Sequence, residues 1–307
     1  MQGKVKCNTT HLKKRGWAWI IKDIRAWMLI LPTVIMFYLM VWRPTVMGGV
    51  WAFFKMKGYT PVEFIGVRNF IEVIQDTQFW PTLGNTIKYV FWSLVIGYIP
   101  PFIIAIILDE LLHFKKGFRV LIYLPTLIPG VAAMLMWYFI YYPDQTGLLN
   151  MILSKFGIEP YIWLNDGRFT IMFIIIQMTW KSFGGAMLMY YAALQGVQAD
   201  LYEAATIDGA GPFRRLWYIT IPQMSGVLLL SLIRQIIAVF QILQEPMTLT
   251  GGGPNGASIS LGYQLYRYGF VTGRTGHAMA LGLIIFVILS FLTFFYMKMQ
   301  KKIEGNL

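Results

Sequence analysis

Two cations and three amides lie inside stretches of this sequence that are otherwise apolar: Lys181 and Arg234, and Gln177, Gln235 and Gln241. An amide donates and accepts hydrogen bonds, which suits a hydroxyl-rich ligand and equally suits bonding between packed helices. A cation at the centre of a membrane helix costs about 2.5–3.5 kcal/mol on insertion scales, so it must face water, a partner or an acidic ligand. Every Asp and Glu falls in a loop or at the edge of an apolar run, so neither cation has a clear acid at mid-depth. Two readings stay open for the pair: an interface ion pair or hydration structure, or, for Arg234, contact with an acidic ligand. Trp180 and Tyr190 fall in the same run as Lys181 and are placed to stack on a flat ligand face. Catalytic chemistry is not suggested. His11, His113 and His277 are far apart, Cys7 is the single cysteine, and no paired-His, Ser/His/Asp or Cys/His arrangement has usable spacing. No GxxxxGK[ST] phosphate loop is present, and no catalytic or metal-binding residue is assigned.

These residues are carried by membrane helices. The chain has 307 residues, 57% hydrophobic and 13% charged, with a mean hydropathy of +0.57; soluble domains average about 25% charged. Six apolar runs reach the roughly 20 residues that a bilayer core requires: 25–47, 86–108, 118–142, 169–194, 222–243 and 276–297. The expected class is an all-α polytopic membrane protein, with a basic N-terminus (1–24), a six-helix domain (25–300) and a short tail (301–307). The first run follows a basic start and is too long for a cleavable signal, so it is expected to be a retained helix. Pro32, Pro100, Pro101, Pro125 and Pro129 fall inside the runs, where they bend membrane helices rather than forbid them. Trp17, Trp19, Trp27, Tyr141 and Tyr142 read as interfacial belts. The net charge of +12 is spread over short loops, which fits membrane topology and not nucleic-acid binding. With six spans, fifteen Lys and Arg share a side with both termini and eight lie opposite, so both termini are expected in the cytoplasm.

The polar run Asp200–Pro222 lies on that same side. Asp200 reads as an N-cap with Glu203 three residues on, as in a capping box. Leu201 to Asp208 then forms two turns, Gly209 ends them in the left-handed region, and Gly211-Pro212 starts a second helix. Ala204 and Ala205 give the first helix a smooth side. On the opposite side, Thr250-Gly-Gly-Gly-Pro-Asn-Gly256 permits a tight backbone excursion and close approach by another surface.

The combination Glu203-Ala204-Ala205, Gly209 and Ile219-Thr-Ile221-Pro222 resembles the EAA loop of ATP-binding-cassette (ABC) importer permeases, with Ile in place of the usual Leu before Pro222. Phe240 to Pro254 is similar to the Phe…Thr-x-Gly-Gly-Pro segment of carbohydrate-uptake permeases, specifically the MalF-like partner of their heterodimers. Trp180-Lys181, Ala193-Leu194-Gln195, Tyr266-Arg267 and Ala278-Met-Ala280 are similar too, and the likeness covers most of 25–300. The resemblance implies the six-helix type I ABC importer permease fold in a prokaryotic cytoplasmic membrane. It implies a second permease subunit, two ATPase subunits carrying ATP and Mg, and an extracytoplasmic sugar-binding protein. It implies no cofactor in this chain. Glu203, Ala204, Ala205, Asp208, Gly209 and Pro222, within a loop spanning 198–222, would couple to the ATPase. Gln177, Trp180, Lys181, Arg234 and Gln241 would line the path of a carbohydrate, and Gly251, Gly252, Gly253 and Pro254 would meet the binding protein. The rivals are an ABC permease for a non-sugar solute and an ion-coupled carrier; the carrier would normally show an intramembrane acid.

Overall fold

The computed structural model describes residues 24–111 and 113–304. Most of the basic N-terminus, with Trp17 and Trp19, and the last residues of the tail lie outside them. The chain divides into two units, up to Trp51 and from Ala52 onward. The described part of the first unit is α1 (Ile24–Phe37), a π-helical turn (Tyr38–Trp42) and α2 (Arg43–Trp51). It is largely apolar; Trp27 to Val46 are exposed, and Met47, Gly48, Gly49 and Trp51 are half-buried.

The second unit opens with a hairpin, β1 (Phe54–Lys57) and β2 (Thr60–Phe64), paired antiparallel, and then α3 (Arg68–Gln75). The second span is α4 (Phe79–Trp92), a π turn (Ser93–Tyr98) and α5 (Ile99–Glu110). The third is broken: α6 (Lys115–Tyr123) runs through a 3-10 turn (Leu124–Leu127), and α7 (Gly130–Ile140) departs at 96°. The loop beyond it holds α8 (Leu148–Lys155) and a 3-10 turn (Trp163–Asn165). The fourth span, α9 (Thr170–Leu194), is one unbroken helix of 25 residues. Then come α10 (Ala199–Ile207), α11 (Pro212–Arg215), a π turn (Leu216–Thr220) and α12 (Ile221–Gln223). After a 75° bend at Met224 follows α13 (Ser225–Phe240). The far-end loop contains α14 (Gln244–Leu249), α15 (Leu261–Tyr266) and a π turn (Arg267–Val271), before the final α16 (Thr275–Glu304). Four described helices are long and apolar enough to cross a membrane, or six if each bent pair is one span.

Prolines account for three of the four π turns described, Arg267–Val271 being the exception. Pro44, Pro100 and Pro222 each stand two residues after the end of a π turn. A proline lacks the N–H of its turn, and its ring presses on the carbonyl four residues back. One extra residue per turn moves that carbonyl aside. Pro125 and Pro129 act more severely, framing the 96° break in the third span.

Helix α9 organises the packing. Its first half, with Phe173, Ile174 and Ile175, joins Met134 and Tyr141 of the third span and Val239 and Leu249 in one core. Its second half, with Met187, Tyr190 and Leu194, joins Ala105, Leu108 and Met224 in another. A third core forms around α16, from Leu281 and Ile285 against Val73, Phe79 and Leu261. Tyr141, expected in an interfacial belt, is 3% exposed and donates to the Phe173 carbonyl, 3.2 Å away. Its ring is long enough to cross the α7–α9 seam, so it is core.

At Gly184 the main chain of α9 approaches the third span directly. A Cβ there would stand 2.6 Å from the Ile122 carbonyl oxygen and the Tyr123 Cα, whereas Gly185 faces open space. Backbone cannot yield as a side-chain tip can. Gly184→Ala should therefore cost about 1–3 kcal/mol of overpacking and lower the thermal unfolding midpoint in detergent, while Gly185→Ala should not. Equal midpoints for the two variants would show that the seam is looser than described.

Candidate functional site

The loop 195–224 is built from short elements that hold one another. Gln195 donates to Asp109, which anchors the start of the loop to the end of α5. The expected capping box does not form. The residue before α10 is Gln198, its side chain makes no cap, and Asp200 sits inside the first turn. There its charge favours the helix start through the dipole rather than through a cap. The other end of α10 matches the expectation closely. Gly209 has φ +72°, its N–H bonds the Thr206 carbonyl at 3.1 Å, and the Ala210 N–H bonds the Ala205 carbonyl at 2.8 Å. That pair of bonds is the Schellman closure. Pro212 opens α11. Tyr202 and Thr220 join their hydroxyls at 2.9 Å, and Arg215 donates to Thr206 at 3.3 Å, so the two arms form one rigid angle.

The outside of that angle is open. Glu203, Ala204, Asp208 and Gly209 are exposed, Ala205 and Pro222 are half-buried, and apolar groups stand among them. Ile207 is 87% exposed, Phe213 81%, Tyr218 77% and Trp217 65%. Phe213, Arg214, Trp217 and Tyr218 line a shallow groove on the second arm.

The residues expected along a ligand path do not converge on one point. Gln177 is buried on α9, and its Oε1 has no hydrogen-bond partner. Trp180 packs edge to face on Trp137, centroids 5.6 Å apart. Lys181 points to the break in the third span: its Nζ lies 3.1 Å from where a Cβ of Gly130 would be, and its carbonyl accepts from Thr126 at 3.0 Å. Arg234 is exposed on α13 and meets no acid among the described residues. Gln235 turns elsewhere, its amide nitrogen 2.9 Å from a Cβ built on Gly97. Gln241 lies at the end of α13 and lines an apolar cavity of about 710 Å³ with Ile237, Gly282, Leu289 and Phe294. Tyr190 is not free to stack on a ligand: it is 2% exposed and its hydroxyl donates to Ser231 at 3.0 Å.

Sequence reasoning missed Glu245. It lies in the first turn of α14, which packs against α7 and α9. Burial pushes its carboxyl up, and its own backbone N–H and Lys181 pull it down. Among the described residues the two form no ion pair, so Lys181 still has no acid bonded to it. A sequence places Glu245 in a loop, and only the packing of α14 brings it to α9.

The Gly-rich segment is a folded plug. Gly251, Gly252 and Gly256 all have positive φ. Gly252 is buried, and a Cβ on it would stand 2.8 Å from Ile259. Ser258 donates to the Gly253 carbonyl at 2.8 Å, and Pro254 packs beside Gly167 at the start of α9. Three residues of α4 that the sequence did not single out hold the loop. Asn85 donates to the carbonyls of Gly256 (2.9 Å) and Ile259 (3.2 Å), Tyr89 donates to that of Ser258 (3.0 Å), and Thr86 accepts from the Leu261 N–H (2.9 Å). Gly251 alone of the three glycines 251–253 is exposed, with open space beside it.

The neighbouring loop is as tightly bonded. Asn150, fully buried, spreads its amide nitrogen among the carbonyls of Tyr142, Asp144 and Tyr161 and accepts from the Tyr161 N–H and the Trp163 indole, all within 2.9–3.1 Å. Arg168, with the Tyr161 hydroxyl, holds the Asp166 carboxyl well below the usual range. Such a group contributes above the ordinary aspartate pKa, and the contribution is lost only as pH falls through the depressed value.

Comparison with known proteins places this geometry. Residues 89–303 match the family described as binding-protein-dependent transport system inner membrane component. The chain is 31% identical to the probable ABC transporter permease protein YurN of Bacillus subtilis, covering 89% of this chain and 95% of that one. It is 31% identical to the trehalose/maltose transport system permease protein MalF of Thermococcus litoralis (90% and 93%). Identity is 27% to the arabinooligosaccharides transport system permease protein AraP of Bacillus subtilis (98% and 99%). The fold superposes on a chain of a bacterial alginate ABC transporter, solved in complex with an alginate pentasaccharide-bound periplasmic protein, with a TM-score of 0.84. There the identity is 25%, and the match covers 94% of this chain and 98% of that one.

Asn85→Leu should leave two buried carbonyls without a donor and cost about 2 kcal/mol. Faster amide exchange across 250–260, with 199–209 unchanged, is the expected result. An unaltered 250–260 would mean that Asn85 does not hold the loop.

Proposed function

Because the chain belongs to the family of binding-protein-dependent transport system inner membrane components, with the type I ABC importer permease fold, we propose that it forms half of the translocation pathway of an ATP-driven carbohydrate importer. The substrate reading rests on the sugar-transport relatives. The coupling reading rests on one observation above the others: a rigid helical angle, closed by Gly209, that presents Ile207 and Phe213 bare to solvent. A monomer has no use for apolar groups held out on a tied scaffold, and a docking partner does.

In this reading α10 seats in a cleft of an ATPase subunit that carries ATP and Mg, so this chain performs no chemistry itself. Glu203, Ala204, Ala205, Asp208 and Gly209 form the contact, and Pro222 sets the direction of the second arm. Closure of the two ATPases moves the angle, and α9, ending four residues before α10, moves with it. A second permease completes the pathway by covering the exposed face of α13 and the cavity along α16. An extracytoplasmic binding protein delivers the sugar at the Gly-rich end, where Gly251 and Pro254 are within its reach. Both termini and the 198–222 loop are then cytoplasmic, as the Lys and Arg distribution requires. Arg234, exposed and without an acid among the described residues, faces the second permease or an acidic sugar.

The test is purification from the native membrane in mild detergent, with mass spectrometry of what accompanies the chain. An ATPase and a second permease in stoichiometric amounts are expected. A lone chain, from membranes that contain the ATPase, would return the reading to an ion-coupled carrier. In the assembled complex, Gly209→Asp puts a side chain and a charge at φ +72°, where an L-residue is strained by about 1–2 kcal/mol. Sugar-stimulated ATP turnover should fall at least tenfold; full turnover in the variant would contradict docking through α10. Arg234→Gln separates the roles of that cation. Loss of acidic-sugar uptake alone would mark contact with substrate, and unchanged uptake of a neutral sugar, with no acidic sugar carried, would exclude it.

A further inference from the structure

The loop that Asn150 ties together contains a recess. Between the end of α7, the turn Trp163–Asn165 and the end of α14 lies a cavity of about 110 Å³, with Tyr138, Tyr141, Tyr142, Ile162, Asn165 and Leu249 in its walls. A single buried water needs about 10–15 Å³, so the space exceeds a hydration site and suits part of a small organic molecule. Apolar and aromatic groups make most of the wall, and three polar side chains stand among them. Tyr138 and Tyr142 carry phenol hydroxyls and Asn165 an amide, and none of these groups has a hydrogen-bond partner among the described residues. Tyr141 differs: it is buried and gives its O–H to the Phe173 carbonyl, so it offers only its ring. Among the described residues no Asp, Glu, Lys or Arg lines the cavity.

That composition selects a ligand class. Hydroxyls and an amide, which both donate and accept, match a molecule rich in hydroxyls. Aromatic rings cover its apolar faces, and the uncharged wall gives an ionic group nothing to pair with. A few placed polar groups in a mostly apolar concavity is the usual make-up of a small-molecule site; an interfacial belt needs neither the amide nor the recess. The walls are also fixed. The Tyr142 carbonyl accepts from Asn150 at 3.1 Å, the same Asn150 takes the Trp163 indole N–H at 2.9 Å, and the Asn165 N–H bonds the Ile162 carbonyl at 2.6 Å. The rings of Tyr138 and Tyr142 meet edge to face, centroids 5.8 Å apart. A site held in this way loses little conformational entropy when it is filled. It borders the Gly-rich loop at two places: Leu249 directly precedes Thr250, and Gly167, two residues after Asn165, lies beside Pro254.

We propose that this cavity is a carbohydrate subsite, which takes one uncharged sugar ring at the mouth of the pathway and bonds its hydroxyls through Tyr138, Tyr142 and Asn165. Its place in transport, as the first contact of a sugar leaving the binding protein, rests on the importer reading; the recognition itself does not.

The test uses the assembled permeases and ATPases in lipid nanodiscs, with maltose, trehalose and arabinotriose as probes. Saturation-transfer NMR reads the binding of each sugar, and uptake of the same sugars is measured in proteoliposomes with the binding protein added. At least one of the three should receive saturation from the wild-type complex. Asn165→Ala should lower that transfer at least about threefold, the effect of one lost neutral hydrogen bond. The Asn165 side chain is exposed and unbonded, so its loss should leave assembly unchanged. Tyr138→Phe keeps the ring, removes only the hydroxyl and should act likewise, and it decides the matter if Asn165→Ala does not assemble. Transfer that stays at the wild-type level in both variants, or no transfer from the wild-type complex to any of the three sugars, would overturn the subsite. Transfer that depends on Asn165 and Tyr138 in a complex that takes up no sugar would support the subsite and overturn the importer reading. Uptake without such transfer would do the reverse.

Discussion

The absence of a side chain at Gly184 is the constraint on which the rest of the second unit depends. It lets the main chain of α9 lie against that of Ile122 and Tyr123, and that contact sets where the broken third span begins its turn. Three residues toward the start of α9, Lys181 then meets the break itself, with Thr126 bonded to its carbonyl and Gly130 beside its ammonium. A side chain in place of Gly184 would push the α6 backbone at Ile122 and Tyr123 outward, and the break that follows with it, whereas one at Gly130 would meet only the tip of Lys181. Because interiors are close-packed, such a shift is not absorbed locally.

The two ends of the bundle solve opposite problems. At the Gly-rich end the loops are drawn inward and their polar groups are satisfied: Asn85, Tyr89 and Asn150 occupy carbonyls that would otherwise be stranded near the apolar core. At the other end the loop is rigid but unburied. Its own bonds, Tyr202 to Thr220 and Arg215 to Thr206, hold the angle without covering Ile207, Phe213 or Tyr218. Each exposed apolar side chain forgoes about 1.5–3 kcal/mol that burial would give. A surface preorganised at that cost binds a partner with little further loss of conformational entropy.

What was legible in the sequence follows from the range of the interaction. Gly209 and Pro212 declare themselves because a left-handed helix end and a proline first turn are settled within three or four residues. The capping box failed for a reason of equal range: α10 begins at Ala199, two residues earlier than an N-cap at Asp200 would have it, which moves Asp200 inside the helix. The prolines announced bends, but whether a bend is a π turn, as before Pro100, or a 96° break, as at Pro129, depends on what packs there. Tyr141 and Tyr190 looked like belt or ligand residues, since nothing local tells an aromatic ring in a core from one at an interface. Asn85 was invisible as a partner because Gly256 is 171 residues away in the chain.

Docking of α10 on an ATPase is most directly measured by photo-crosslinking from position 207. With a photoreactive amino acid in place of Ile207, 87% exposed at the end of α10, illumination of the purified complex should yield an adduct of this chain with the ATPase subunit. Its yield should change between nucleotide-free and ATP-bound states as the angle is moved. A complex that contains the ATPase but gives adducts only to lipid or to another copy of this chain would contradict coupling through this loop.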